Sequence, residues 1–228
     1  MEQLSKRAHI DIYRHLAFSA VGGFFAGYAV LCRMGVMANA QTVNLLELVL
    51  DALGGRGLSV LYRLGALVCY ALGTMLTVVL PFRFGWNVRY LSPLVSAAMA
   101  VLLAFLPAEM PILVSLYPIF FAMSFQYSSF SGADGFNSAT IFSSNNTKQT
   151  FLALAEYWCR RDGKQLRRAR LFGFTLLCFY GGTAASFFAV KWAGIAASLL
   201  VLPLLAWAAF LVACEDRAVE RKQAETAG

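Results

Sequence analysis

The feature that most constrains this chain is a recurrence of long apolar runs, which fall near residues 16–37, 59–81, 89–106, 111–130, 169–190 and 193–213. Bilayer hydrocarbon is about 30 Å thick and a helix needs about 20 apolar residues to cross it, so each run is long enough for one span. Soluble domains carry roughly 25% charged residues. This chain is 59% hydrophobic and 14% charged and would expose apolar surface if folded in water. Six spans and short connections use nearly all 228 residues, which leaves no length for a separate soluble catalytic domain. The expected fold class is an all-α membrane protein. Lys6, Arg7 and Arg14 precede the first run as they would in a signal peptide. The run is too long for one and lacks a small-x-small cleavage site, so it is read as a retained first span. The five cysteines are widely spaced, mostly within apolar runs, and read as small buried hydrophobes.

Orientation follows from the basic residues. One side of the six runs receives fifteen of the 19 Lys and Arg, including Arg83, Arg89, Lys148, Arg217, Arg221 and Lys222. The other receives Arg33, Arg56, Arg63 and Lys191, with Lys191 in the tight turn of an expected hairpin between the last two spans. Short loops rich in Lys and Arg stay on the cytoplasmic side, so both termini are expected inside. The densest basic stretch, Arg160, Arg161, Lys164, Arg167, Arg168 and Arg170, borders a span. In that position it is expected to face anionic lipid headgroups, not nucleic acid.

Two weakly apolar stretches, 38–54 and 131–160, occupy equivalent places after the first span of each three-span set. Aligning Thr42 with Ser144 superposes Asn44 on Asn146 and Glu47 on Gln149, and a Gly-Thr pair follows in each half at Gly73-Thr74 and Gly182-Thr183. An odd number of crossings inverts the second copy. The expectation is therefore two inverted three-helix repeats, 1–107 and 108–214, each carrying a polar re-entrant or interfacial hairpin, followed by a tail at 215–228. Thr42, Asn44, Ser144 and Asn146 are types that cap helix N-termini, whose free N–H groups and positive dipole end suit an anion or polar solute. Together with Gln41, Gln126, Asn145 and Thr147 they form the candidate substrate site. Ser124, Ser128, Ser129 and Ser131 make the end of the fourth run polar, and Gly23 and Gly27 are spaced for close helix packing. Glu47, Asp51 and Glu156 are expected on solvated faces, and His9, Asp11 and His15 on a charged stem before the first span.

Gly35 to Leu48, the Ala122-Met-Ser-Phe-Gln126 segment and Ser144-Asn-Asn-Thr147 resemble the YoaK-like family of bacterial multi-pass membrane proteins, a domain of unknown function. The likeness extends over about residues 15–212. That family typically carries Thr-Gly-Asn in each half, Gly-Leu-Gln in its fourth helix and an aspartate in its first. Here the two halves read Thr42-Val43-Asn44 and Ser144-Asn145-Asn146, and Tyr28 replaces the aspartate. The resemblance implies a six-helix, transporter-like protein of the bacterial inner membrane.

The function expected from the repeated polar cluster is a small-solute transporter or channel with its site near the midplane. The alternative is a membrane scaffold or sensor that binds lipid or protein through Arg160 to Arg170. No histidine falls inside a run, and there is no HExxH, paired carboxylate or Gly-x-Ser-x-Gly motif, so neither enzyme activity nor a cofactor or metal is expected. Partners are the bilayer, an unidentified solute and, as an open question, a second copy of the chain.

Overall fold

A computed structural model describes residues 2–32, 38–39, 41–107 and 109–227. Arg33, expected at the outer end of the first span, lies outside these residues. Helices and an isolated antiparallel bridge between Ala133 and Phe136 make up the regular structure of the described residues. Four segments are long and apolar enough to cross a bilayer: Ile10–Cys32, Gly57–Phe84, Val88–Phe105 and Gly163–Ala218. The chain is a helical membrane protein.

The first helix, α1 (Glu2–Cys32), starts well before the expected residue 16. A second, α2 (Gln41–Leu53), precedes α3 (Gly57–Phe84). α3 stops at Gly85, whose φ of 69° is open to glycine at little cost. The side chain of Asn87 then accepts from the Arg89 N–H and opens α4 (Val88–Phe105). The expected fourth span is interrupted at Leu116 into α5 (Ile112–Ser115) and α6 (Tyr117–Ser129). With 13 residues, α6 reaches only about 20 Å at 1.5 Å per residue, short of the hydrocarbon thickness. The stretch 130–143 is largely irregular and leads into α7 (Ser144–Arg160). Asp162 accepts from the Lys164 N–H and caps α8 (Gly163–Ala193).

The last two runs reverse direction as a hairpin does, but the turn lies beyond Lys191. Lys191 lies inside α8, and a 3-10 stretch, Gly194–Val201, continues directly into α9 (Leu202–Ala227). The change of direction falls at Gly194, whose φ of 58° and ψ of −130° are accessible to glycine alone at low cost. α8 before this point and α9 after it both pack against α1.

α1 is the core of the bundle. Of its best apolar window 72% is buried, against 17% for α3 and 28% for α4. Leu61, Met75, Phe82, Leu94, Phe105, Leu177, Phe188, Trp207 and Phe210 of the outer helices face outward, as an apolar solvent requires. α1 and α8 run in the same direction at very close approach. A Cβ on Gly23 would lie 1.7 Å from the Phe179 carbonyl oxygen, one on Gly27 2.0 Å from Ser186 Oγ, and one on Gly182 2.0 Å from the Ala20 carbonyl. α3 and α6 repeat this relationship. A Cβ on Gly65 would meet the Tyr117 hydroxyl at 2.1 Å, and one on Gly73 the Ser124 hydroxyl at 2.1 Å. The small residues at 23 and 27 therefore serve close packing, as their spacing suggests.

At one end of the bundle Arg14 of α1 and Arg89 of α4 share the Glu215 carboxylate of α9, at 2.7 and 2.6 Å, and Arg89 also reaches Asp216 at 2.5 Å. These contacts bring Arg14 of α1, Arg89 near the start of α4 and Glu215 of α9 together.

Candidate functional site

Both polar stretches fold back against the middle of α1 and meet at Gly22. From the first stretch, Asn39 is fully buried and donates its side-chain amide to the Gly22 carbonyl at 2.8 Å. From the second, the Thr140 carbonyl oxygen lies where a Cβ on Gly22 would come within 2.3 Å. Only glycine leaves room for this contact. Gly22 is near the centre of the apolar segment Ile10–Cys32, so Asn39 and Thr140 reach α1 about midway along it.

Gln126 of α6 completes the cluster. It is fully buried and donates to the Phe18 carbonyl at 3.1 Å and to the Thr140 hydroxyl at 2.9 Å. A backbone carbonyl can only accept, so the amide nitrogens of Asn39 and Gln126 must face their partners. Their oxygens are left as the free groups, and Asn39 Oδ1 and Gln126 Oε1 are buried without a partner among the described residues. Leaving a buried polar atom unsatisfied costs about 1–3 kcal/mol. The cluster is neutral and offers acceptors.

Nearer the Arg14 end, a second chain of hydrogen bonds ties the irregular stretch to α1. Ser138 Oγ donates to Asn146 Oδ1 at 3.1 Å, while the Asn146 amide donates to the Ala139 and Phe142 carbonyls at 2.7 and 2.9 Å. The single hydroxyl proton of Ser138 is thereby committed. The 3.0 Å contact with His15 Nε2 requires the imidazole to donate, which fixes the Nε2–H tautomer. His15 is fully buried within the segment Ile10–Cys32, not on a solvated stem before it, because the 130–143 stretch and α9 pack over this part of α1. A histidine does therefore lie inside a span.

The expected N-cap residues do other work. Asn44 and Asn146 sit within the first turns of α2 and α7 and spend their amide donors on carbonyls: Asn44 on Arg63 at 3.1 Å and on Gln41 Oε1 at 2.9 Å, Asn146 as above. Buried irregular backbone exposes more acceptors than its own N–H groups can meet, and an asparagine amide supplies two donors. The residue preceding α7 is Ser143, without a side-chain cap bond. Gln41 donates to the Ala66 carbonyl at 3.4 Å, and the Thr147 hydroxyl bonds back to Ser143 at 2.9 Å. Thr42, Ser144 and Asn145 are exposed and stand outside the cluster at Gly22. Of the eight expected residues, Gln126 alone belongs to it. Gly22, Asn39 and Thr140 were not singled out by sequence. An asparagine within a mostly apolar run was the one available signal.

α2 and α7 are fastened to α3 and α8 in corresponding ways. Arg63 holds Glu47 and Asp51, each at 2.6 Å, and Asp51 also takes Arg56 at 2.6 Å. Asp51 is buried, not solvated as its amphipathic segment suggests, and the hydrogen bond from Arg63 holds its carboxyl below the ordinary range. Arg168 plays the same part in α8, bonding Gln149 and lying 3.7 Å from Glu156. Glu47 and Gln149 are thus used alike, as their alignment in sequence suggests.

Compared with known proteins, residues 15–212 match one family model, described as a protein of unknown function, DUF1275. The match agrees with the resemblance to the YoaK-like family and takes in the whole cluster at Gly22. No curated protein and no solved structure matches.

Proposed function

We propose, from the premise that this chain belongs to the DUF1275 family, that it carries a small polar solute across the membrane through a site centred on Gly22. The observation that carries this reading is the convergence of Asn39 and Thr140 from separate polar stretches on one glycine midway along a membrane helix. Irregular backbone at that depth is tolerated where protein buries it or where it lines a polar path. Transporters built from inverted repeats place their sites in such broken segments.

The inverted arrangement is supported by the packing. α1 lies along α8 as α6 lies along α3, α1 packs on α9 as α6 packs on α4, and α2 packs on α3 as α7 packs on α8. In this reading α5 with α6 is a shortened crossing, and α8 and α9 make two, which brings the total to six. Both termini are cytoplasmic, since the basic residues of Arg160 to Arg170 gather at their end. The free amide oxygens of Asn39 and Gln126 favour a solute bearing N–H or O–H donors, and the absence of charge among the cluster's residues argues against the anion that helix caps would bind. Asn39 and Gln126 are fully buried, which fits an occluded state of alternating access better than an open channel.

The test is a thermal-shift screen of small donor-bearing solutes such as urea, methylammonium and polyols, followed by flux of any stabilising solute into proteoliposomes. Asn39→Leu and Gln126→Leu are expected to abolish flux, and Thr42→Ala to leave it unchanged. Equal flux in wild type and both leucine variants would remove the site assignment. Loss of function on neutralising Arg160 to Arg170 alone would favour the scaffold or sensor reading.

A further inference from the structure

The six basic residues that sequence groups together do not act as one patch. Arg161 lies 5.8 Å from the ring centres of Tyr157 and Trp158, and Arg167 is 3.7 Å from Asp134. Only Lys164 and Arg168 line a pocket of about 340 Å³, open to the surface between α7, α8 and the loop at 135–137. Its other walls are Gly135, Phe136, Asn137, Gln149, Gln165 and Phe172.

The hydrogen bonding of this pocket selects a ligand class. Arg168 donates to Gln149 Oε1 and, at 3.3 Å, to Gln165 Oε1. Both glutamines have an acceptor oxygen occupied by the same guanidinium, so their amide nitrogens remain as donors. One of these makes only a 3.5 Å contact with Asn145. The exposed ammonium of Lys164 adds three donors and a charge. The rim is thus rich in donors and positive, with Glu156 as a partial counter-charge at 3.7 Å from Arg168. Phe136 and Phe172, with ring centres 6.5 Å apart, supply an apolar wall that weakens the screening of these charges.

We propose that this pocket binds a phosphate-type oxyanion, carried by an anionic phospholipid headgroup or free in solution. A tetrahedral group with several acceptor oxygens can meet Lys164 and the glutamine amides together, which a single carboxylate does less well. Because Lys164 belongs to α8 and Gln149 to α7, the bound group pins the second polar stretch to its supporting helix. This inference is independent of the solute path at Gly22.

The experiment measures retention of phosphatidylglycerol against phosphatidylcholine by native mass spectrometry of the detergent-solubilised protein, and binding of inorganic phosphate by calorimetry. At least tenfold preference for phosphatidylglycerol, binding of inorganic phosphate, or both, is expected. Lipid preference without phosphate binding assigns the headgroup as the source, and phosphate binding alone assigns the free ion. Lys164→Gln, an exposed substitution that leaves the Arg168 contacts intact, should weaken the observed binding at least threefold, and Arg160→Gln should leave it unchanged. Neither probe binding, Lys164→Gln binding as wild type, or Arg160→Gln losing as much as Lys164→Gln would each overturn the proposal.

Discussion

Asn39 and Gly22 are joined by a 2.8 Å hydrogen bond from a side-chain amide to a carbonyl in the middle of a helix. The bond seats Asn39 against the middle of α1. Asn39→Leu keeps the branching at Cγ with a bulkier side chain and removes the donor, leaving the chain to be held by packing alone. A loss of about 1–3 kcal/mol is expected, read as a lower melting temperature in detergent. Asn39→Asp, which presents acceptors to a carbonyl, should be worse than leucine. Melting unchanged in both variants would show that the bond does not hold the fold.

Gly181 and Gly182 offer a controlled pair. A Cβ on Gly182 would stand 2.0 Å from the Ala20 carbonyl oxygen of α1, whereas one on Gly181 meets nothing within 4 Å. Gly182→Ala should force α1 and α8 apart at about 1–3 kcal/mol. Gly181→Ala should be neutral or stabilising by up to about 1 kcal/mol, through the lower entropy cost of alanine in a helix. Melting curves of the two variants decide the matter, and equal destabilisation would contradict the packing described.

Glu215 binds two arginines from different helices, Arg14 at 2.7 Å and Arg89 at 2.6 Å. Glu215→Gln leaves Arg14, only 6% exposed, with its charge uncompensated by that partner. Removing one member of a buried ion pair costs about 3–5 kcal/mol, and the partial exposure of Arg89 places this site at or below the lower end. Adding Arg14→Met to Glu215→Gln should recover part of the loss. A double variant no more stable than Glu215→Gln would show that the uncompensated charge is not the cause.

Asp51 predicts a pH dependence. Its carboxyl is held below the ordinary range first by the hydrogen bond from Arg63 and then by Arg56, so its contribution is present above the ordinary carboxylate pKa of about 4 and is lost as pH falls through the depressed value. The melting difference between wild type and Asp51→Asn should be largest near neutral pH and shrink under acid. A difference constant from pH 7 to pH 3 would place the effect elsewhere.

The residues that sequence made legible are those whose role follows from their own type and spacing. Gly23 and Gly27 sit one helical turn apart and meet α8 as that spacing suggests. Glu47 and Gln149 align and are each gripped by an arginine of the next helix. Small polar residues before an apolar run are the usual mark of a capped helix start, yet Thr42 and Ser144 lie within the first turns of α2 and α7 with exposed side chains. What decides the use of such a residue is which backbone groups the fold brings within reach of it. At Asn44 and Asn146 those groups are carbonyls, which take amide donors.

The sequence by itself determined the solvent, the helical class and the two polar interruptions, because apolar length and the need to satisfy backbone groups in hydrocarbon are properties of a segment taken alone. Only the tertiary structure decided that both interruptions end on Gly22, that His15 is buried against Ser138, and that Lys164 and Arg168 part from the other basic residues. These relations join residues 17 to 123 positions apart, or turn on which side of a pocket a charge faces. They depend on how helices lie against one another, a distance that no spacing along the chain encodes.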